Sequence, residues 1–230
     1  MAVTTSFLGR GIYSVQSAAR LSGIPIRRVR RWLCGYSFVS SGKARRSPPV
    51  WIGDFAPIET HASLSFLDLI ELRFVESFIR AGVSWKTMRL AHQKASEYVK
   101  SPHPFCTNAF ATDGRKIFAD LKIAADQKGI VEVISKQRYF DQVIRPLLLQ
   151  LDFSSSHYPL RWWPLGTSRH VVLDPNRCFG TPITEREATP TRSLYLAVQA
   201  GNAPRQVASW YGVSPKAVAD AIEFERNLAA

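Results

Sequence analysis

The sequence predicts a mainly helical chain with small β elements, of α+β class. It opens with a winged helix-turn-helix, continues through a β-hairpin and a helix, and closes with a small helical domain. Three observations predict this. Capped segments with helical apolar spacing recur at both ends of the chain. Short extended runs between Gly, Pro and Asp interrupt them. The net positive charge is also concentrated at one end. The formal net charge is +12, and residues 1–53 contain no acid at all, the first being Asp54. That segment holds nine bases (Arg10, Arg20, Arg27, Arg28, Arg30, Arg31, Lys43, Arg45 and Arg46), so the remaining residues supply +12 − 9 = +3. A basic head on a nearly neutral body is the electrostatic footprint of a nucleic-acid binder. At 230 residues and 46% hydrophobic, the chain is long enough for one to three compact units.

The first elements follow from "GIYSVQSAARLSGIPIRRVRRWLCGY". Ile12 and Tyr13 suit a short extended entry, and Ser14 is an N-cap for a helix over about Val15–Leu21. Val15, Ala18, Ala19 and Leu21 give that helix a small-residue apolar face. Ser22-Gly23 makes the turn, Ile24 plugs the junction, and Pro25 suits the first position of a second helix. Ile26, Val29 and Leu33 then fall at i, i+3 and i+7 and are expected to face inward. Arg27, Arg28, Arg30 and Arg31 spread over the remaining arc. Such a helix offers its arginines to a major groove, where they fork guanines or clamp phosphates.

"SSGKARRSPPVWIG" places Lys43, Arg45 and Arg46 in a loop before a strand expected at Val50–Ile52. This segment is either a wing reaching the DNA backbone or a basic linker. Ser65 with Asp68 makes a capping-box start for a helix ending at Ala81, before Gly82. Ser84 caps the next helix, which reaches about Val99 and ends ahead of Pro102. The succession of a Tyr-Ser entry, "VQSAARLSGIPIRRVRRWL", a basic wing and a helix closed by "RAGVSWKTMRLA" resembles the N-terminal DNA-binding domain of the MerR family over about residues 10–100. By matching position the resemblance implicates Arg27, Arg28, Arg30 and Arg31, with the Lys43–Arg46 wing, in DNA contact. The long dimerising coiled coil usual in that family has no counterpart here, yet a homodimer is expected, since helix-turn-helix units work in pairs.

In the middle of the chain, Ala109–Ala111 and Lys116–Leu121 flank Asp113-Gly114, a type I′ hairpin signal. "GIVEVIS" predicts a further strand, and "QRYFDQVIRPLLLQLDF" a helix kinked or restarted at Pro146. The linker "SSSHYPLRWWPLG" carries Trp162 and Trp163, either a local core clasp or an anchor for a partner protein.

The tail predicts a strand at Val171–Leu173, a turn at Asp174-Pro175, a strand start at Gly180–Ile183 and a helix near Arg192–Ala200 closed by Gly201. A second helix-turn-helix follows. Val207, Ala208 and Tyr211 pack on its first helix, Gly212 turns, and Ser214-Pro215 opens a helix with Val218, Ala219 and Ile222 inward. Asp220, Glu223 and Glu225 accompany its single early base, Lys216. Phosphate would repel that helix, so it is expected to bind protein rather than DNA. "VVLDP", "FGTPI", the helix ending in "AG" and "VASWYGVSPKAVADAIEFE" resemble, in that order, the small antitoxin-type domain paired with PIN-like ribonuclease toxins in bacterial VapBC-type systems. Many members carry Gly-Thr-Arg after the Pro-Ile, where this chain has "TEREATPT". The resemblance implies a PIN-like ribonuclease toxin as partner and makes Arg177, Arg186 and Arg192, with Trp162 and Trp163, the toxin-binding candidates.

The domains expected are therefore 1–100 for DNA, 101–165 for the hairpin, helix and aromatic linker, and 166–230 for the toxin. No apolar run approaches the ~18 residues of a membrane span, and the N-terminus lacks the order of a secretory signal. Cys34, Cys106 and Cys178 form no CxxC pair. The five histidines stand alone, and no phosphate loop or nucleophile elbow occurs. The expectation is a cytoplasmic non-enzyme without metal or cofactor. It is an antitoxin that neutralises its toxin and binds double-stranded operator DNA to repress its own operon. The competing expectation is a MerR-like regulator whose C-terminal region senses a small ligand.

Overall fold

The structure, a computed structural model, describes residues 8–57, 61–110, 142 and 144–228. These residues are mainly helical with short antiparallel strand pairs, an α+β arrangement. The chain divides into two compact units. One comprises Tyr13–Leu148 with Ser155–Tyr158, and the other comprises Met1–Ile12, Leu149–Ser154 and Pro159–Ala230.

The first unit begins with β1 (Tyr13–Ser14), antiparallel to β4 (Ser63–Leu64) with Tyr13 opposite Leu64. Ser14 caps α1 (Val15–Ser22) by accepting the Ser17 N–H at 3.0 Å, and Gly23 ends it in the left-handed region at φ 68°. Ile24 plugs the junction at 2% exposure. In α2 (Ile26–Cys34), Pro25 occupies the N-cap rather than the first helical position. The buried stripe is Val29 with Trp32, while Ile26 is 40% exposed and Leu33 half-buried. The helix is thus turned by about one residue from the expected Ile26–Val29–Leu33 face. The cause is Trp32, whose ring packs on Trp85 at 4.8 Å and has the larger apolar area to bury.

The basic segment after α2 is a hairpin, not a loop leading to a strand at Val50–Ile52. Strand β2 (Tyr36–Ser40) pairs with β3 (Lys43–Ser47), from Tyr36 opposite Ser47 to Ser40 opposite Lys43. Ser41 and Gly42 both have positive φ, 52° and 73°, as a type I′ turn requires. Gly35 joins α2 to the hairpin at φ 69°, ψ −172°, and a Cβ there would lie 2.4 Å from the Ser47 carbonyl oxygen.

Helix α3 (Phe66–Arg80) starts with the expected capping box. Ser65 Oγ accepts the Asp68 N–H, and Asp68 accepts the Ser65 N–H. Ser84 caps α4 (Trp85–Val99). In the core Phe74 and Phe78 meet Phe110, and Phe78 meets Phe105, edge to face, while Phe105 and Phe110 are tilted on each other. Residues 108–110 are helical, with the Thr107 hydroxyl accepting the Phe110 N–H. This corrects the strand expected at Ala109–Ala111, because the threonine cap satisfies the turn locally. The Asp113-Gly114 turn, the Lys116–Leu121 strand and "GIVEVIS" lie outside the described residues.

Helix α5 (Arg145–Leu148) starts one residue before Pro146, where a kink or restart was expected, and ends at Leu148. Residues Leu151–Phe153, expected to be helical, form β5 of the second unit and pair with β6 (Pro159–Trp162). Cross-strand pairing overrides the local helical pattern there. Strand β7 (Val171–Val172) pairs with β8 (Ile183–Thr184), and Leu173 bridges to Trp162. Helices α6 (Thr191–Gln199), α7 (Pro204–Tyr211) and α8 (Pro215–Asn227) enclose a core of Leu194, Val207, Ala208, Val213, Ala217, Val218 and Ala221. Gly212 turns and Ser214 caps α8 as expected. The inward stripe of α8 runs through Ala217, Ala221 and Phe224, leaving Ala219 exposed and Ile222 partly buried, and Tyr211 is exposed on α7.

Candidate nucleic-acid interface and partner surface

In the first unit, the face of α2 turned away from α1 carries Arg27, Arg30 and Arg31, all exposed. Arg28 differs from them. Its Nη1 donates to both carboxylate oxygens of Glu76 on α3, at 2.8 and 2.9 Å, and Arg80 Nε also donates to Glu76 at 2.8 Å. Glu76 is the buried partner, so Arg28 serves the fold as well as the surface.

Strand pleating divides the wing bases between two faces. Lys43 and Arg45 share a face with Phe38 and Tyr36, while Arg46 lies opposite Ser37 on the other. All three are exposed. Tyr36 connects helix and hairpin, with Phe38 at 5.7 Å along the strand and the Arg31 guanidinium 4.8 Å above its ring. Arg27, Arg30, Arg31, Lys43, Arg45 and Arg46 have no carboxylate within ion-pair distance among the described residues. The combined surface is therefore cationic and uncompensated.

Arg89 on α4 escaped the sequence reading. Its Nη2 donates to the Ser47 hydroxyl at the end of β3, and with Trp85 it closes a cleft of about 290 Å³ against α2 and the wing. An isolated arginine in "WKTMRLA" carries no local signal, since only the tertiary fold brings it beside the head.

The first unit also holds a buried polar network. Asp68 accepts the Trp51 Nε1–H at 2.7 Å and the N–H groups of Ser65 and Asp54, and Glu71 accepts the N–H groups of Phe105 and Cys106. His103 Nε2 is 3.0 Å from Asp54, and its Nδ1 is 3.9 Å from Asp68. Burial works to lower the His103 pKa, but the Asp54 hydrogen bond and the charges of Asp68 and Glu71 leave it raised. Burial raises that of Asp68 against the pull of His103, and raises the Cys106 thiol well above its ordinary value.

In the second unit, Trp162 and Trp163 are buried, at 3% and 7% exposure. Trp162 Nε1 donates to Gln150 at 3.2 Å and Trp163 Nε1 to Asp152 at 2.8 Å, and Trp163 packs on Val172 and Ile183. Both indoles are thus buried and hydrogen-bonded within the second unit. Arg177 donates to the carbonyls of Glu185 and Arg186 and so holds the turn on which Arg186 is exposed. Arg192 is exposed, with its Nη1 3.7 Å from Glu225 and its guanidinium over the Tyr195 ring at 5.6 Å.

The acids of α8 are internally engaged. Asp220 lies 2.7 Å from His170 Nδ1 and accepts from the His170 N–H at 3.0 Å and from Arg169 Nε at 2.8 Å; its burial works to raise its pKa, and these bonds, the His170 ring first, hold it down. Glu223 accepts from Arg169, and Glu225 accepts the Thr191 hydroxyl at 2.6 Å. Leu196, Trp210 and Tyr211 are exposed on α6 and α7. Among the described residues no helix is long and apolar enough to cross a membrane, and no group of three or more His, Cys, Asp or Glu could hold a metal ion.

No protein-family model matches the chain. A crystal structure of Rv2018 from Mycobacterium tuberculosis has the same fold, with a TM-score of 0.72 at 22% identity, covering 91% of this chain and 96% of that one. A curated protein of Mycobacterium tuberculosis (strain ATCC 25618 / H37Rv), named "Putative antitoxin VapB45", is 25% identical over 222 residues, covering 92% of each chain.

Proposed function

We propose that this chain is a VapB-type antitoxin with two binding ends. The observation that carries the proposal is the similarity to a protein named as an antitoxin, which runs through both units rather than one. The first unit, as one half of a homodimer, holds double-stranded operator DNA. Arg27, Arg30 and Arg31 of α2 enter the major groove, and Lys43, Arg45 and Arg46 of the wing follow the backbone. Arg28 contributes at the edge of this surface. An exposed cationic face without carboxylate partners supports that role. The second unit binds and neutralises a PIN-like ribonuclease toxin. Arg177, Arg186 and Arg192 lie on or behind the contact surface, and Trp162 and Trp163 support it from inside. Bound to its operator, the antitoxin represses its own operon.

Co-purification from native cells, followed by an RNA-cleavage assay and footprinting of the chain's own promoter, tests the proposal. A small stoichiometric ribonuclease silenced by the chain, together with a protected promoter, is the expected outcome. A lone homodimer that binds a small ligand and no protein would refute it in favour of the ligand-sensing regulator.

A further inference from the structure

The cleft between α2, the wing and α4 is built like a site rather than like a seam in the packing. Arg27 and Arg31 on α2 and Arg89 on α4 line it together with Trp32, Tyr36 and Trp85. None of these three arginines has a carboxylate within ion-pair distance among the described residues, whereas Arg28, which also lines the cleft, is paired with Glu76. Two donors in its lining are buried and have no hydrogen-bond partner, the Trp32 indole N–H and the Arg89 Nε–H. Trp32 is 1% exposed, so bulk water does not satisfy that N–H. A buried indole donor and a half-engaged guanidinium fork, set among positive charges and aromatic faces, describe a pocket for an acceptor-only, negatively charged group.

We propose that this cleft is an oxyanion site that takes one phosphate group, with Trp32 Nε1 and Arg89 Nε as its inner donors and Arg27 and Arg31 at its mouth. This rests on the DNA-binding reading for the source of the phosphate, the operator backbone. The phosphate so held ties the recognition helix to α4 and, through the bond from Arg89 to Ser47, to the base of the wing. A bound strand thereby fixes the angle between helix and wing.

The test uses the full chain and inorganic phosphate, followed by tryptophan emission, since Trp32 and Trp85 both line the cleft. Chloride at matched ionic strength is the control. A saturable change with phosphate and none with chloride is expected. Trp32→Phe keeps an aromatic ring, though a smaller one, and removes the donor, and should weaken phosphate about tenfold, the effect of losing one hydrogen bond to a charged group. Its melting temperature should fall, because the smaller ring leaves a cavity beside Trp85, so phosphate binding is read well below the melt. Arg89→Gln should weaken phosphate at least as much, with Arg89→Lys recovering part of the loss, whereas Lys94→Gln, an exposed cation further along α4 that pairs with Glu97, leaves phosphate binding unchanged.

A DNA duplex is then added at saturating phosphate. Displacement of the phosphate supports the backbone as its source. Duplex binding without displacement upholds the oxyanion site and overturns the backbone as its source. Phosphate binding with no duplex binding under any salt condition leaves the cleft assigned and refutes the DNA-binding reading instead. No saturable response to phosphate, with DNA affinity unchanged in Trp32→Phe and Arg89→Gln, overturns the proposal.

Discussion

Arg28 and Arg30 are two residues apart on one helix, and the structure separates their roles. Arg30 is exposed with no carboxylate beside it, whereas Arg28 is bound to the buried Glu76. Arg28→Ala should therefore act on stability. Its side chain is 39% exposed, so solvent screens the pair, and Arg80 still serves Glu76 after the substitution. The cost is about 1 kcal/mol, or about 3 °C in melting temperature for a unit of this size. Arg30→Ala should act on DNA. Six cations of the seven candidates remain without a carboxylate, so log Kd should follow log salt with a slope of about 5 per subunit, at ~0.9 per phosphate neutralised. Removing Arg30 should reduce that slope by about 1 and leave the melting temperature in place. Fluorescence anisotropy of a labelled operator across a salt series, paired with thermal melts of both variants, reads the two effects on separate axes. An equal fall in slope for Arg28→Ala and Arg30→Ala, with neither melt altered, would refute the division of labour.

Three further outcomes follow from the packing. Gly35→Ala should destabilise the first unit by about 3 kcal/mol, because its φ of 69° with ψ −172° belongs to glycine alone and the new Cβ would meet the Ser47 carbonyl. Thermal melts would expose the error if the variant matched the parent. Thr191→Val should cost the second unit about 2 kcal/mol by removing the hydroxyl that donates to the buried Glu225, while Thr191→Ser should not. Equal melts for the two variants would show that the hydroxyl does not matter. The first unit should also lose stability as pH rises. His103 has a raised folded pKa, so its stabilisation is complete below its unfolded value of about 6.5 and is lost as pH climbs through the folded one. Asp68, raised as well, acts in the same direction at lower pH. Melts from pH 5 to 9 check this, and a His103→Gln variant with an unchanged profile above pH 6 would assign the dependence elsewhere.

The helix boundaries were legible because their signals are local. Ser14, Ser65, Ser84 and Ser214 each accept an N–H three residues on, and Gly23 and Gly212 each adopt the left-handed turn, so a few neighbouring residues decide each end. What was not legible depends on residues distant in sequence. Leu33 has the better helical spacing, but Trp32 wins the interior because Trp85 arrives from α4 to cover it. The wing escaped recognition as a strand because Lys43 to Arg46 are exposed on both faces and show no apolar alternation. Its register is instead set by the Ser41-Gly42 turn and by Ser47, the one buried residue of β3. The seven DNA candidates were visible as a charge block. Arg89 was not, since nothing near it in sequence marks it.

The two ends differ less in charge in the fold than in the sequence. From sequence, three acids on α8 set that helix against phosphate. In the fold, Asp220 and Glu225 are buried and hydrogen-bonded, and Glu223 shares Arg169 with Asp220, so most of that charge never faces a partner. Repulsion alone therefore does not distinguish α8 from α2. What distinguishes them is the inventory of exposed groups. Around α2 and the wing these are guanidinium and ammonium groups without carboxylates, suited to a polyanion. On α6 and α7 they include Leu196, Trp210 and Tyr211, side chains that gain free energy by leaving water and carry no positive charge to set against a phosphate. The acids of α8 hold the second unit together, and its exposed apolar side chains, more than its charge, suit it to a protein partner.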